Sequence, residues 1–347
     1  MIKKFNFNEK VLFSVITVIL VLAPLVLSDF RTNLLGKFIC FAIVAIGLDL
    51  IWGYTGILSL GHGVFFGIGA YCMAMYLKLQ SSGSKVPDFM AWSGVGKLPL
   101  FWVPFKNPVF ALAMVVIAPA AIAFILGLFT FRNRIKGVYF SILSQALSII
   151  FVVLFVGQQA FTGGTNGITN FEKIFGLPIT DQKVIYILYY ISLIILVGVF
   201  ILCRFIVKGR MGKILVAIRD GENRVRFAGY NPTSYKVFVY CLSAAIAGIA
   251  GALFVPQVGI ITPSEMGIVP SIEMVIWVAI GGRGSIIGAV IGALLMNIVK
   301  TGVSENFPEV WSYFLGITFV IVVVFLPKGV MGMFSRLNKK EASRDAA

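Results

Sequence analysis

The chain has 347 residues, of which 59% are apolar and only 12% are charged, and its mean hydropathy is +0.97. Soluble globular proteins carry about 25% charged residues, so this composition excludes a soluble protein and indicates that membrane lipid surrounds much of the chain. The net charge of +15 comes without a basic stripe beside solvated aromatic residues. It therefore predicts membrane topology, and no nucleic-acid partner.

Apolar segments long enough to cross a bilayer recur along the chain, since a spanning helix needs about 20 mostly apolar residues. The first follows a basic start, is longer than a usual signal-peptide core and lacks a small-residue cleavage site after it. We interpret it as a retained helix. The predicted spans are 11–28, 34–52, 56–77, 108–131, 137–157, 184–205, 234–256, 268–281, 284–302 and 309–326.

Lysine and arginine are concentrated in alternate connections between these spans, and most of the 29 basic residues fall on one side. Because cytoplasmic loops are enriched in these residues, both termini are predicted to be cytoplasmic, including a tail at 335–347. The predicted fold class is all-α: one polytopic membrane domain over 1–347, with about ten transmembrane helices, some short or discontinuous.

Two predicted spans are unusual. Span 56–77 is crowded with glycine, whereas span 268–281 is short and contains a glutamate. If the ten predicted spans are divided into two halves of five, each unusual span is the third in its half. Because five is odd, the two halves would cross the membrane in opposite orientations, so inverted halves are expected. Short or glycine-interrupted segments at matching positions point to a substrate path. The polar segment 78–107, with Trp92 and Trp102, is predicted to be an external loop.

His62, the only histidine, lies between Gly61 and Gly63 in the third predicted span. Ionisable groups inside a membrane indicate function by default, and neutral imidazole offers one donor and one acceptor. The alternative is a histidine that is simply bonded to a neighbouring helix. Ser59, one turn earlier, is placed in the same candidate substrate path.

Further candidates for this path lie on three other spans. Glu273 is expected either to accept from a substrate N–H group or to pair with Arg283 or a partner subunit. Ser141 and Gln145 are one turn apart on one helix face, where they either line the path or hold helices together. Trp277 completes the set.

The chain lacks the G-x-x-x-x-G-K-[ST] phosphate loop. With one histidine and no paired carboxylates at catalytic spacing, the sequence predicts no catalytic residues, no metal site and no cofactor bound by this chain. A channel, a secondary transporter and the membrane subunit of a multi-chain pump remain open.

The longest basic connection, 206–233, has the pattern of a short amphipathic helix. Such a helix either docks into a groove on a soluble partner or rests on lipid headgroups. The connection resembles the coupling loop of permease subunits in ATP-binding-cassette importers, and the chain is identified as a member of the branched-chain amino acid permease family, closest to the urea-type subunit. The family pattern A-x-R-D-x-E-x-x-x-R-x-x-G matches Ala217, Arg219, Asp220, Glu222, Arg226 and Gly229, with Ile218 among them.

Four more stretches carry the resemblance, which spans about residues 40–333. They are GYTGILSLGHGVFFGIGAY at 53–71, RIKGVYFSILSQAL at 134–147, the long stretch from VPQVGIITPSEM to GGRGSIIGA at 255–289, and FLPKGVMGM at 325–333.

The resemblance implies a bacterial plasma-membrane importer. This chain would pair with a second, related permease, with two cytoplasmic ATPases that use ATP and Mg²⁺, and with a periplasmic or surface solute-binding protein. Urea or a related short amide is the expected substrate, because the stretches PQVGIITPSEM, SIEMVIWVAIGGRG and GGTNG resemble the urea-type subunit. The few candidate charges near the path also favour a neutral solute. Branched-chain amino acids are the alternative within the family, and a passive urea channel is the alternative from another class.

Overall fold

The computed structural model describes residues 8–307 apart from 84, 175 and 180, together with 309, 313, 316–318, 320 and 329–332. Helices dominate this part of the chain. They are α1 (Asn8–Leu22), α2 (Asp29–Thr55), α3 (His62–Ser82), α4 (Asp88–Trp92), α5 (Pro108–Arg132), α6 (Val138–Gly157), α7 (Gln159–Thr162), α8 (Gln182–Lys208), α9 (Arg210–Phe227), α10 (Pro232–Val258), α11 (Ile268–Gly281) and α12 (Ile286–Asn306).

Among the described residues, six helices are long and apolar enough to cross a membrane: α2, α5, α6, α8, α10 and α12. α1 and α11 are shorter apolar helices, and α3 has 21 residues. Each of the first nine predicted spans therefore coincides with a helix, which supports an all-α polytopic membrane fold. The predicted tenth span, 309–326, lies mostly outside the described residues. The number of spans and their orientation stay predictions.

α2, α3 and α10 form the centre of the bundle. Helices that are apolar on all faces are expected to be buried, and both α2 and α3 are buried along most of their length. α10 packs against α2, α3 and α5. Glycines allow this close approach, because a Cβ at Gly69 would collide with the backbone of Gly248 and one at Gly251 with the carbonyl of Phe66. α5 packs on α10 and α3 from outside, and only a minority of the residues of α5 and α6 are buried.

The third predicted span does not begin at residue 56 as expected. α2 ends because Gly56 adopts a left-handed conformation (φ +75°), which suits glycine at a helix C-terminus, and α3 starts only at His62. α10 ends in the same way at Gly259 (φ +78°), and a 3₁₀ turn at Pro263–Met266 precedes α11. The two breaks occupy corresponding places in the predicted halves.

The predicted external segment 78–107 is partly helical. α3 continues to Ser82, α4 follows, and a 3₁₀ turn covers Val103–Lys106. Two-residue strands lie in later connections: β1 (Ile168–Thr169) pairs antiparallel with β4 (Ile260–Ile261), and β2 (Lys173–Ile174) pairs with β3 (Leu177–Pro178). The β1–β4 pair ties the connection before α8 to the break after α10.

Candidate functional site

The irregular backbone between α2 and α3 is bonded by serines of α6. Ser141 Oγ donates to the carbonyl oxygen of Leu58 at 2.8 Å, and the amide of Leu60 donates to Ser144 Oγ at 2.9 Å. In lipid every backbone polar group needs an internal partner. These bonds explain how the chain tolerates a non-helical segment inside the bundle. Ser141 was predicted as a site residue, whereas Ser144 was missed although it lies one turn away on the same face.

His62 is the first residue of α3 and is fully buried. Its Nε2 lies 2.7 Å from Ser243 Oγ, which itself donates to the carbonyl oxygen of Gly47 at 2.6 Å. Because the serine proton is committed to Gly47, Nε2 must carry the imidazole proton. His62 therefore ties α3 to α10 and α2, and its Nδ1 acceptor has no partner among the described residues.

The residues around His62 bring α3 against the start of α11. The amide of Gly63 donates to Ser271 Oγ at 3.1 Å, and a side chain at Gly63 would press on the backbone of Glu265. A Cβ at Gly61 would collide with the carbonyl of Ser144. Of the remaining predicted residues here, Ser59 is buried and Gln145 is half-buried on α6. The structure thus gathers the first group of predicted site residues around the helix break.

Glu273 and Trp277 lie elsewhere, in a cavity of about 320 Å³ between α2, α11 and α12. The sequence assigned both residues to the path but did not predict their neighbours. The cavity is also lined by Lys37, Glu265, Asn297 and Lys300, together with Leu34, Phe38, Phe41, Pro270, Met274, Thr301, Ser304 and Glu305. It therefore combines five charged side chains with an aromatic and aliphatic wall.

The partner of Glu273 is Lys300 and not Arg283. Both carboxylate oxygens accept from Lys300 Nζ, at 2.9 and 2.7 Å. α11 and α12 are antiparallel neighbours, so residues near the start of one meet residues near the end of the other. The guanidinium of Arg283 instead lies 5.4 Å from the centre of the Trp52 ring, at the other end of α11.

The charged side chains of this cavity bear on the prediction that the substrate is a neutral solute. The sequence appeared to offer few charges for a zwitterion, because Lys37 and Glu265 lie outside the set of predicted site residues. Lys37 and Lys300 balance Glu265 and Glu273 in number, and the fifth charged residue, Glu305, forms an ion pair with Arg31 at 3.2 Å. The positive and negative charges are therefore matched when all of these groups are ionised. Such a cavity suits a solute that carries both charges better than a neutral amide.

The predicted coupling segment 206–233 contains α9, which lies between α8 and α10. Its buried side includes Leu215, Ile218, Glu222 and Val225, the three-to-four spacing of an amphipathic helix. Gly221 has extended backbone angles (φ −175°, ψ 78°) and divides the helix in two. Among the other predicted coupling residues, Ala217, Asp220 and Gly229 are exposed and Arg226 is half-buried.

Glu222 connects α9 to two other parts of the bundle. Its carboxylate lies 2.6 Å from Lys236 Nζ on α10, 2.9 Å from Arg226 and 3.0 Å from Lys136, which precedes α6. Burial alone would raise the pKa of this carboxyl, but hydrogen bonds from Lys236 and Lys136 outweigh burial and lower the pKa to about 2. Glu222 is thus an ionised clamp that fixes α9.

Arg219 joins α9 to the end of α2. Its Nη1 donates to the carbonyl oxygen of Gly53 at 2.7 Å, while Nε donates to Asp220 at 2.9 Å. The side chain also packs on Gly56, where a Cβ would approach it to 2.9 Å. Lone carbonyls at a helix C-terminus favour a cation. The arginine of the predicted motif therefore contacts this chain itself, whereas Asp220 and Phe227 face outward.

These features define a class: a helical, multi-pass membrane transport protein with interrupted helices, a charged cavity and a short amphipathic helix, α9, between two long ones. Comparison with known proteins gives the family. The profile of the family described as branched-chain amino acid transport system / permease component matches residues 30–323, and the chain belongs to this family. It is accordingly a transport component and not an enzyme.

Several curated relatives support the assignment. The high-affinity branched-chain amino acid transport system permease protein LivM of Escherichia coli is 26% identical over 94% of this chain and 76% of its own length. BraD of Pseudomonas aeruginosa is 23% identical and LivH of Escherichia coli 24% identical, each over 84% of this chain and 91% of the relative. No solved structure gave a significant match.

Proposed function

We propose that this chain is one of two permease subunits of an ATP-driven importer for branched-chain amino acids in a bacterial plasma membrane. The observation that carries the substrate is the family match over 30–323. The charged cavity agrees with it, because a free amino acid is a zwitterion. The comparisons do not support urea as the substrate. The argument that few charges favour a neutral solute also fails, because the cavity contains charged side chains of both signs.

Pairing with a second permease is supported by the relatives. LivM and LivH are both permease proteins of Escherichia coli and both match most of this chain, so one organism carries two related permeases. The unequal exposure of the helices agrees with a partner, since α6 exposes much of its apolar surface. Two ATPases and a solute-binding protein complete the proposed assembly.

Coupling to ATP hydrolysis is supported by α9. The helix is held rigidly by Glu222 and Arg219, yet its far side remains open to a partner. Phe227 is 93% exposed at its end, and exposed aromatic side chains are favoured anchors in protein interfaces. ATP binding by the partner ATPases would then bias a two-state permease through α9.

The test is uptake of labelled leucine and labelled urea into vesicles that contain the complete assembly. We expect leucine uptake, competition by isoleucine and valine, and none by urea. A variant of the partner ATPases that assembles but does not hydrolyse ATP is the control, and it should abolish uptake. Urea uptake would refute the substrate, whereas leucine uptake that persists with the inactive ATPases would indicate a passive channel.

A further inference from the structure

The charged groups of the cavity between α2, α11 and α12 are either paired or unpaired. Glu305 forms an ion pair with Arg31. Glu273 and Lys300 are bonded to each other through both carboxylate oxygens. The side chains of Lys37 and Glu265 make no hydrogen bond or ion pair within the described part of the chain, although each charge acts electrostatically on the other. The cavity thus offers one cation and one anion whose bonding capacity is unused.

The position of Lys37 explains why this charge is tolerated without a partner. Its Nζ lies 5.7 Å from the centre of the Phe41 ring and 5.5 Å from that of Phe254. Aromatic faces attract cations, but they do not accept three N–H bonds as a carboxylate can. Glu265, on the 3₁₀ turn before α11, is half-buried beside it.

We propose that this cavity binds the main-chain group of an amino acid, with Lys37 holding the α-carboxylate and Glu265 the α-ammonium. The inference rests on the proposed function and adds a binding site to it. Hydrogen bonds between ionised groups are about twice as strong as neutral ones. A zwitterion satisfies both unused charges at once, whereas a neutral amide leaves each without a counter-charge.

The wall of the cavity fits the rest of such a ligand. Phe38, Met274 and Trp277 provide an apolar surface, and the Trp277 ring is held 4.8 Å from the Phe41 ring. A volume of about 320 Å³ lies at the small end of the range for ligand sites, roughly 300–1,000 Å³. The bonded Glu273–Lys300 pair adds no net charge, so it positions its neighbours without competing for the ligand.

A binding assay tests the site independently of transport. Thr301 lines the cavity, and Thr301→Cys in the full transporter places a thiol there. We expect leucine to slow the reaction of this thiol with a hydrophilic thiol reagent. Isopentylamine and 4-methylpentanoate, which lack the carboxylate and the ammonium respectively, should not protect at the same concentration. The chain without the substitution gives the background from its own cysteines.

Lys37→Met and Glu265→Gln, each combined with Thr301→Cys, remove one charge with little change in shape. Each should weaken protection by leucine about tenfold or more, since a bond to a charged group is lost. Lys97→Met and Glu172→Gln are the matched controls at exposed positions and should leave protection unchanged.

Absent protection by leucine, equal protection by either analogue, or unchanged protection in both cavity variants would each overturn the proposal. Leucine uptake by the unsubstituted transporter decides the proposed function separately. Uptake without protection refutes the site alone, and protection without uptake of branched-chain amino acids refutes the function alone.

Discussion

Glu222→Gln isolates the charge that holds α9, because it keeps the shape of the side chain and removes its ionisation. The carboxyl has an ordinary pKa of 4.5 and a pKa of about 2 in the folded chain. At 1.36 kcal/mol per unit, this difference stabilises the folded state by about 3 kcal/mol at neutral pH. Breaking a buried pair from one side is expected to have a similar effect, about 3–5 kcal/mol, since Lys236 is only 6% exposed.

The sign of the pH dependence follows from the lowered pKa. The stabilisation is complete above pH 4.5 and is lost as the pH falls from 4.5 towards 2, where the folded carboxyl also takes up a proton. Thermal unfolding of the purified transporter should therefore show a lower midpoint for Glu222→Gln at pH 7. The difference from the unsubstituted protein should shrink below pH 4.5.

Asp220→Asn is the control for this experiment. Its carboxylate also pairs with an arginine, but the side chain is 64% exposed, and exposed pairs contribute about 0–1 kcal/mol. Equal midpoints for Glu222→Gln and Asp220→Asn at pH 7 would refute the view that Glu222 is a structural clamp. A difference that stays constant between pH 7 and pH 3 would refute its assignment to ionisation.

Two further substitutions test the contacts at the helix break and at the end of α2. Gly61→Ala places a methyl group against the carbonyl of Ser144, so we expect reduced yield of folded protein and a lower unfolding midpoint, whereas Gly157→Ala has open space around it and should change neither. Arg219→Ala removes the bond to the Gly53 carbonyl and should reduce ATP-dependent uptake more than it reduces insertion. Full uptake with this variant would show that the arginine is dispensable for coupling.

The amphipathic and short helices were predicted well from the sequence. α11 has the predicted bounds 268–281, because glycine flanks a mostly apolar run on both sides. α9 falls inside the predicted segment 206–233, since its buried residues recur every three to four positions. In both cases the signal is local: spacing and composition within one element determine the result.

The start of α3 was predicted six residues too early. Residues 57–61 are mostly apolar and follow an apolar helix, so they have the composition of a span. Their conformation depends on Gly56 and on bonds from α6, including Ser144, more than 80 residues away. Composition cannot indicate where the hydroxyl of a distant serine will replace the hydrogen bonds that a helix would make within its own backbone.

The charged cavity was the larger omission. Lys37 is a single cation in an apolar run, and Glu265 lies in a turn, so neither has a local pattern that marks it as a site residue. They meet because α2 lies beside α11 and α12, which is a long-range feature. One signal was available: Glu273 near the start of α11 and Lys300 near the end of α12 lie on consecutive antiparallel helices, which brings these two ends together.

α9 is connected to the cavity through the end of α2. Arg219 bonds to the Gly53 carbonyl at the end of α2, and Gly53 packs so closely on Gly284 that a Cβ would come within 2.5 Å of its amide nitrogen. The same amide donates to Asp49 at 2.7 Å. Gly284 lies in the connection between α11 and α12, the helices that carry Glu273 and Lys300. We therefore expect a displacement of α9 to be transmitted through the close Gly53–Gly284 contact to α11 and α12, which form part of the cavity wall, because closely packed contacts are not continuously deformable.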